Sequence, residues 1–362
     1  MTPPTVLQAG PLHSVHMRRW AENAADIGYA VHVAGNVADG VGAVRLEDVA
    51  EGVHVAPPAG FPLATITWVR WLRRLLGRIR PTLVHAHGPP TWGLYAALAG
   101  ARPLMLSAWG SDVYLASAYV RALSRVPMRR ADVVTAPSAH MIATLVERGT
   151  PQERCYEVDL GVDVDAFSPG PGGEEVRSEQ GLGDAPVVFS FRGGFPAYNL
   201  PVVVEAFTRL RRRVPDARLV VALGGAAPSS ETSRALERTE GVHVVGHVAH
   251  EDMPRYFRAA TVGVSIPSSD GSPRSVWEAM ACRVPLVLSD LPQIRERLGD
   301  SGAARLVEID ADAVAEALEE VITAPEAVAR AGREWALANA DRRLQLERLE
   351  RAYLRAGAAR PA

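Results

Sequence analysis

Residues 264–290 read VSIPSSDGSPRSVWEAMACRVPLVLSD, and the fold is decided by how this stretch is read. An apolar, β-branched run from Val262 to Ile266 stops at Pro267. The small, flexible loop SSDGSP follows, and a helix is predicted to open near Arg274–Ser275 and to carry Glu278. A second strand, Pro285–Ser289, completes a strand–loop–helix–strand unit. Asp270 at the loop's entrance and Glu278 about one turn into the helix are separated by seven residues. A helix start leaves backbone N–H groups unpaired at the positive end of its dipole, so the loop between the two acids suits an anion. Two carboxylates that accept hydroxyl hydrogen bonds beside an anion cradle match a sugar joined to a phosphate. The plainer alternative is a loop cap and a solvated helix residue.

A chain of 362 residues suits two domains of about 150–180 residues each. Its 48% hydrophobic and 22% charged residues are globular values, and a net charge of -2 argues against nucleic acid as the main partner. The N-terminus lacks a basic region and an apolar core, and no run of 18 apolar residues occurs, so a cytoplasmic chain is expected. Cys155 and Cys282 have no metal or disulfide spacing, which fits a reduced compartment. Lysine is absent, and all 39 basic residues are arginine. Any bound diphosphate must therefore be neutralised by arginine, histidine, backbone N–H groups or helix ends.

From the N-terminus, apolar strands alternate with amphipathic helices, the pattern of a parallel sheet covered on both faces. Strands are predicted at 5–8, 31–34, 53–55, 82–87, 103–107 and 131–136, with helices at 15–28, 64–78, 94–98 and 138–148. Ser138 is the expected N-cap of the last of these. GVDVDAFSPGPGGEE (161–175) reads as a linker, after which the alternation restarts. Strands are predicted at 187–191, 219–223, 242–245, 262–266 and 285–289, and helices at 201–213, 253–260, 311–323 and, as one long charged element, 325–357. The expected division is an N-terminal domain (1–165), a C-terminal domain (166–340) and a C-terminal helix (341–362) free to cross back. In open parallel sheets ligands sit beyond the carboxyl ends of the strands. That places Gly10, His87, Trp109–Asp112, Arg192, Gly224, Gly246 and Asp270 on loops around a common cleft.

These landmarks resemble the retaining glycosyltransferases of glycosyltransferase family 4. The resemblance rests on the Asp270-to-Glu278 spacing with EAMA (278–281), GVDVDAFSP (161–169), LVHAHG (83–88), GSD (110–112) and ADVVTAPS (131–138). It implies an α/β architecture of the GT-B type, two facing Rossmann-like domains with a cleft between them. It further implies that Glu278 accepts hydrogen bonds from the donor ribose. Asp270, with N–H groups of Gly271, Ser272, Arg274 and Ser275, would hold the donor sugar and phosphate, and Arg192 would neutralise the leaving diphosphate. Gly246, His247 and Val248 would line the base, while Gly10 and Gly224 would let their loops approach the donor. Where the family commonly carries a Lys-Gly pair this chain has Tyr198 and Asn199, and Trp109 stands where many members have histidine. Asp270 is one methylene shorter than the family's Glu. Arg283 replaces a usual glycine, a strained choice if its φ is positive.

The resulting catalytic candidates are Arg192, Asp270, His16 and Asp112, with His13, His87 and Trp109 as acceptor-side candidates. Each has a structural alternative: a surface arginine, a loop cap, a packed histidine or an N-cap. His13 and His16 do not make a metal site, and neither a metal nor a cofactor is expected, the nucleotide sugar being a substrate. The implied reaction is retaining transfer, from a UDP-sugar first and a GDP-sugar second, to a small-molecule acceptor such as a natural-product intermediate. Rival readings are transfer to a lipid or polysaccharide at the membrane, a GT-B sugar-nucleotide epimerase, and a non-catalytic nucleotide-sugar-binding protein. WVRWLRRLLGRIR (68–80) is amphipathic, and 68–130 holds ten arginines against one acid, Asp112. Either it covers a sheet or it makes weak peripheral contact with anionic lipid.

Overall fold

The computed structural model describes residues 3–37, 45–59, 63–114, 116–224 and 227–361. They form two compact units, 1–161 with 343–362, and 162–342. In the first unit the elements are β1 (Thr5–Ala9), α1 (Val15–Asp26), β2 (Ala30–Gly35), β3 (Gly52–Val55), α2 (Leu63–Ile79), β4 (Leu83–His87), α3 (Leu94–Ala99) and β5 (Leu104–Ser107). They continue with α4 (Ser111–Tyr114), α5 (Ala118–Arg130), β6 (Val133–Ala136), α6 (Ala139–Glu147) and β7 (Cys155–Glu157). Among the described residues these strands make one parallel sheet in the order β3-β2-β1-β4-β5-β6-β7. The order reverses between β1 and β4, so the loops after them, at Gly10 and His87–Gly88, flank the crevice where such sheets bind ligands.

The second unit repeats the plan with α7 (Gly173–Glu179), β8 (Val187–Ser190), α8 (Leu200–Leu210), β9 (Arg218–Ala222), α9 (Ser230–Arg238), β10 (Val242–Gly246) and α10 (Met253–Ala259). Then come β11 (Val262–Ser265), α11 (Arg274–Ala281), β12 (Leu286–Ser289), α12 (Pro292–Leu298), β13 (Arg305–Val307), α13 (Ala311–Thr323) and α14 (Pro325–Asn339). Its parallel sheet runs β10-β9-β8-β11-β12-β13, with the reversal between β8 and β11. One face is covered by Trp277, Met280 and Trp335 with Phe189 and Phe257, the other by Phe207, Leu210, Leu318 and Val321. Both faces are apolar because parallel strands are covered on both sides, which is why β8, β11 and β12 read as continuous buried runs.

Several expectations are corrected. The stretch 161–175 is not a loose linker: Val162, Val164 and Phe167 are buried in the second unit's core, and Gly173 opens α7. The unit boundary accordingly falls at 161/162 rather than 165/166. The helix expected over 325–357 is two helices, α14 and α15 (Arg342–Ala356). It breaks at Ala340–Asp341 because the backbone there pairs with Val162: Val162 N donates to Ala340 O (2.8 Å) and Arg342 N to Val162 O (2.8 Å). Helix α5 was missed because Pro127 lies inside it and reads as a breaker. Elements α4, α7, α9, α12, β7 and β13, each of nine residues or fewer, were also missed.

After Arg342 the chain returns to the first unit, where α15 and α1 cover one sheet face. Leu349, Ala352 and Tyr353 pack with Met17, Trp20 and Ala21. Helix α2 covers the other face: Trp68 stacks on Trp92 at 5.5 Å, and Leu72 and Leu75 are buried. The apolar side of 68–80 that would enter a lipid surface is therefore occupied by the protein's own core. No helix among the described residues is long and apolar enough to cross a membrane.

Tyr353 is fully buried, and its hydroxyl shares a 2.9 Å hydrogen bond with His85 Nδ1 and accepts from Gln8 Nε2 at 3.4 Å. Tyr353→Phe keeps the ring packing but removes the buried partner of His85. It is expected to lower stability by about 1–2 kcal/mol, read as a shift in the urea midpoint at constant slope. An unchanged midpoint would mean that water replaces the hydroxyl.

Candidate functional site

At the reversal point of the second sheet, the loop after β8 carries Arg192 and the loop after β11 carries Asp270. Their side chains meet: Arg192 Nη2 pairs with Asp270 Oδ2, and Arg192 Nη1 donates to Ser275 Oγ at 3.0 Å. The guanidinium also lies over the Tyr198 ring, 4.5 Å from its centroid. Tyr198 thus occupies the family's lysine position as an aromatic support for an arginine. Asn199, with φ 51°, donates from Nδ2 to Ile266 O and Ser268 Oγ, both at 2.8 Å. It ties the loop before α8 to the one after β11. Gln293 Nε2 donates to Asp270 O, a third tether on the same loop.

Helix α11 begins at Arg274, as expected from the sequence, with Pro273 as N-cap and no side-chain cap bond. One turn in, Glu278 is 4% exposed. A buried carboxylate needs partners, and Oε1 has two: His250 Nε2 at 2.9 Å and Arg274 Nε at 3.1 Å. The Arg274 contact is an ion pair without hydrogen-bond alignment, because Arg274 Nε and Nη1 are buried with no hydrogen-bond partner. Those N–H groups can take an anion's oxygens at the helix start. His250 was missed at the sequence level: it lies 28 residues from Glu278, and no spacing rule joins them. The same holds for Arg297, which donates to Ser272 Oγ (2.9 Å) and stacks on Trp277 at 5.1 Å.

The remaining donor-side candidates lie on neighbouring loops. Gly246 ends β10, and His247 and Val248 follow it toward His250, whose ring packs on Phe167 at 4.9 Å. Gly224 follows β9 and touches the Arg192 loop: a Cβ on Gly193, φ 78°, would lie 2.3 Å from Gly224 O. Only glycine at 193 allows that approach. Arg283 does adopt a positive φ, 64°, at the end of α11 and pairs with Glu326 at 2.8 Å.

In the first unit, Gly10 follows β1, and an added Cβ would sit 2.7 Å from Met17 Sδ. His13 lies in the turn after Gly10, and His16 is in the first turn of α1 with its ring edge-on to Trp109 at 5.4 Å. His87 is 1% exposed, packed against Trp20, His85 and Trp109, and neither ring nitrogen has a hydrogen-bond partner. Burial first, then the neighbouring His85 and His16, hold its proton affinity well below the usual histidine range. Asp112 turns inward and accepts from Trp109 N (3.0 Å) and Gly110 N (2.8 Å), so its carboxylate staples its own loop. Burial raises its pKa, and these amide bonds oppose the rise.

Two family models match. "Glycosyltransferase Family 4" matches residues 13–166, and "Glycosyl transferases group 1" matches 186–324. A GDP-mannose-dependent alpha-(1-6)-phosphatidylinositol monomannoside mannosyltransferase of Mycolicibacterium smegmatis is 32% identical over 267 residues, 68% of this chain and 69% of that protein. The chain belongs to glycosyltransferase family 4. A D-inositol 3-phosphate glycosyltransferase of Kineococcus radiotolerans is 30% identical over 168 residues, 43% of this chain and 38% of that protein. The crystal structure of Anabaena HepE in complex with UDP and glucose superposes with a TM-score of 0.81 at 15% identity, covering 96% of this chain and 99% of that one. That likeness shows the GT-B fold of this glycosyltransferase.

Burial of His85 makes the stability of the fold sensitive to acid. His85 is fully buried and bonded at both ring nitrogens, to Tyr353 and to Ser107 Oγ at 2.7 Å, and burial lowers its pKa from 6.5 to about 3. Between those values the unfolded chain binds a proton that the folded chain does not, so stability rises with pH there and is lost as pH falls. From pH 7 to pH 5 this residue alone removes about 2 kcal/mol. His85→Gln is expected to flatten that part of the slope in urea titrations at the two pH values. An equal slope in the variant would show that other groups carry it.

Proposed function

We propose that this glycosyltransferase transfers a sugar from a nucleoside diphosphate to an acceptor hydroxyl with retention of anomeric configuration, by displacement on one face of the sugar. The observation that carries the reading is Arg274 at the start of α11, holding Glu278 while its buried Nε and Nη1 have no hydrogen-bond acceptor. An anion-receptive guanidinium beside a buried ribose-accepting acid suits a nucleotide whose phosphates lie at the helix start. Arg192, held by Asp270, Ser275 and Tyr198, supplies the second positive charge.

In this mechanism the bond from C1 of the sugar to the phosphate oxygen breaks as the acceptor oxygen bonds to C1. The acceptor's proton passes to the departing phosphate. Catalysis is then orientation plus stabilisation of charge on the diphosphate, supplied by Arg192, Arg274 and the first amides of α11. With no lysine in the chain, arginine takes the part that a lysine plays elsewhere, and turnover without an added divalent ion is expected. Relatives named for GDP-mannose favour a GDP-sugar over the UDP-sugar ranked first from sequence. The acceptor is proposed as a hydroxyl-bearing small molecule, and the aromatic and imidazole cluster of His16, His87 and Trp109 is the proposed place for it.

Two variants test this. Glu278→Gln keeps the packing volume and should weaken nucleotide binding at least tenfold by calorimetry, about 1.4 kcal/mol; unchanged GDP and UDP affinities would remove the ribose role. Arg192→Ala should lower kcat by about 10²–10³-fold, the effect of losing one preorganised donor, with nucleotide affinity reduced less. Near wild-type turnover would take Arg192 out of the diphosphate clamp. Nucleotide-sugar binding without transfer across an acceptor panel would favour the binding-protein alternative.

A further inference from the structure

GVDVDAFSP (161–169) lies outside the strand–loop–helix unit that carries the donor loop, and its spacing has a local cause. Asp163 Oδ1 accepts from Asp165 N at 3.1 Å and from Ala166 N at 3.0 Å, while Asp163 O accepts from Phe167 N at 2.8 Å. That turn sends Phe167 into the core, 2% exposed, with Val162, Val164 and Phe257. Arg258 of α10 fixes the segment, donating from Nε to Ser168 O at 2.7 Å and from Nη1 to Pro171 O at 3.0 Å. The Phe167 ring packs against His250, 4.9 Å between centroids. His250 is 44% exposed and sits in the turn between β10 and α10, where Met253 N donates to its carbonyl at 3.3 Å. Its Nε2 lies 2.9 Å from Glu278 Oε1. A carboxylate only accepts, so this nitrogen carries the hydrogen.

A glutamate does not fix its own carboxylate plane. Its last torsion is broad and roughly two-fold, so partners decide where the lone pairs point. Arg274 Nε, 3.1 Å from the same oxygen, supplies charge without alignment, since that N–H has no hydrogen-bond partner. His250 supplies an aligned hydrogen bond. The imidazole's own torsion is equally broad, and the Phe167 ring beside it restricts that rotation.

We propose that His250 is a positioning residue that aims Glu278 at the ribose hydroxyls, with Phe167 of the GVDVDAFSP motif as its support. His250 acts in this way only if Glu278 is the ribose acceptor proposed for it, and what it contributes is selectivity. A well-aimed, buried carboxylate rejects a sugar that lacks the 2′-hydroxyl, because its acceptor is then left unpaired. A poorly aimed one binds ribonucleotide and 2′-deoxyribonucleotide more nearly alike.

The test is calorimetry of the full chain with GDP, UDP and the 2′-deoxy form of each. The unaltered chain should bind its preferred ribonucleotide about 10- to 100-fold more tightly than the 2′-deoxy form, the value of a hydrogen bond to a charged group. His250→Ala, at an exposed position, should lower that ratio by about tenfold, with little change in affinity for the 2′-deoxy form. His250→Gln places an amide N–H at similar reach and should recover most of the ratio. Phe167→Leu keeps an apolar side chain in the core but removes the ring, and should lower the ratio in the same direction by less. An unchanged ratio in His250→Ala, or no recovery in His250→Gln, would overturn the assignment. So would an equal loss of affinity for both forms, the signature of a merely structural role. An unchanged ratio in Phe167→Leu would remove Phe167 as the support. Failure of the donor reading itself looks different: the unaltered chain would bind neither nucleotide, or would bind ribose and 2′-deoxy forms equally, and His250 would lose its role with it.

Discussion

A carboxylate cannot stay ionised in a protein interior without partners, and much of the second unit is arranged around that constraint at Glu278. The side chain lies one turn into α11, a helix whose residues from Val276 to Ala281 are all buried. Its partners are Arg274, one turn earlier in the same helix, and His250 from the loop after β10. Removing one partner of such a pair would leave a buried charge at a cost of about 3–5 kcal/mol. The loop before α11 is fixed in turn at three points: Asn199 bonds Ile266 O, Gln293 bonds Asp270 O, and Trp277 and Arg297 both bond Ser272 Oγ. The consequence is a helix start held in place with arginine donors packed beside it. A site that relies on preorganised charge requires such placement.

The first unit depends on a different kind of closure. Its sheet is completed on one face by α15, a segment that follows the whole second unit in the chain. The transfer is possible because the helix expected to run from 325 to 357 breaks at Asp341, where the backbone pairs with Val162. The strand-like segment at Val162 and the break at Asp341 therefore form a single hinge point of the chain path. From there α15 carries Tyr353 to His85 and Gln8, so a polar network under the sheet is joined across more than 260 residues. His85 is kept neutral in that network, which ties the stability of the first unit to pH.

Legibility differed between kinds of feature. Strand positions were readable because buried parallel strands are uniform apolar runs; β4, β8, β11 and β12 all fall within a residue or two of expectation. Helix α5 was hidden by Pro127, and α14 and α15 merged because their charged faces have the same period. At the site, Asp270, Arg192, Arg274 and Glu278 were readable through their spacing around one strand–loop–helix unit. His250 and Arg297 were not, since each reaches the loop from a distant segment and carries no local pattern. Asp112 was readable as a loop residue, but its commitment to the Trp109 and Gly110 amides followed only from coordinates.

By itself, the sequence determined the alternation of strand and helix, the two-unit plan, the family and the position of the donor loop. Those features are local: each is written in a window of some ten to thirty residues whose apolar period or turn chemistry has one solution. Tertiary structure alone decided that Arg192 pairs with Asp270, that Glu278 is shared by Arg274 and His250, and that Phe167 packs against His250. It also decided which unit the last helix completes. Side-chain partners far apart in the chain are chosen by packing and by the need to compensate buried charge, and neither is visible until the sheets have brought those segments together.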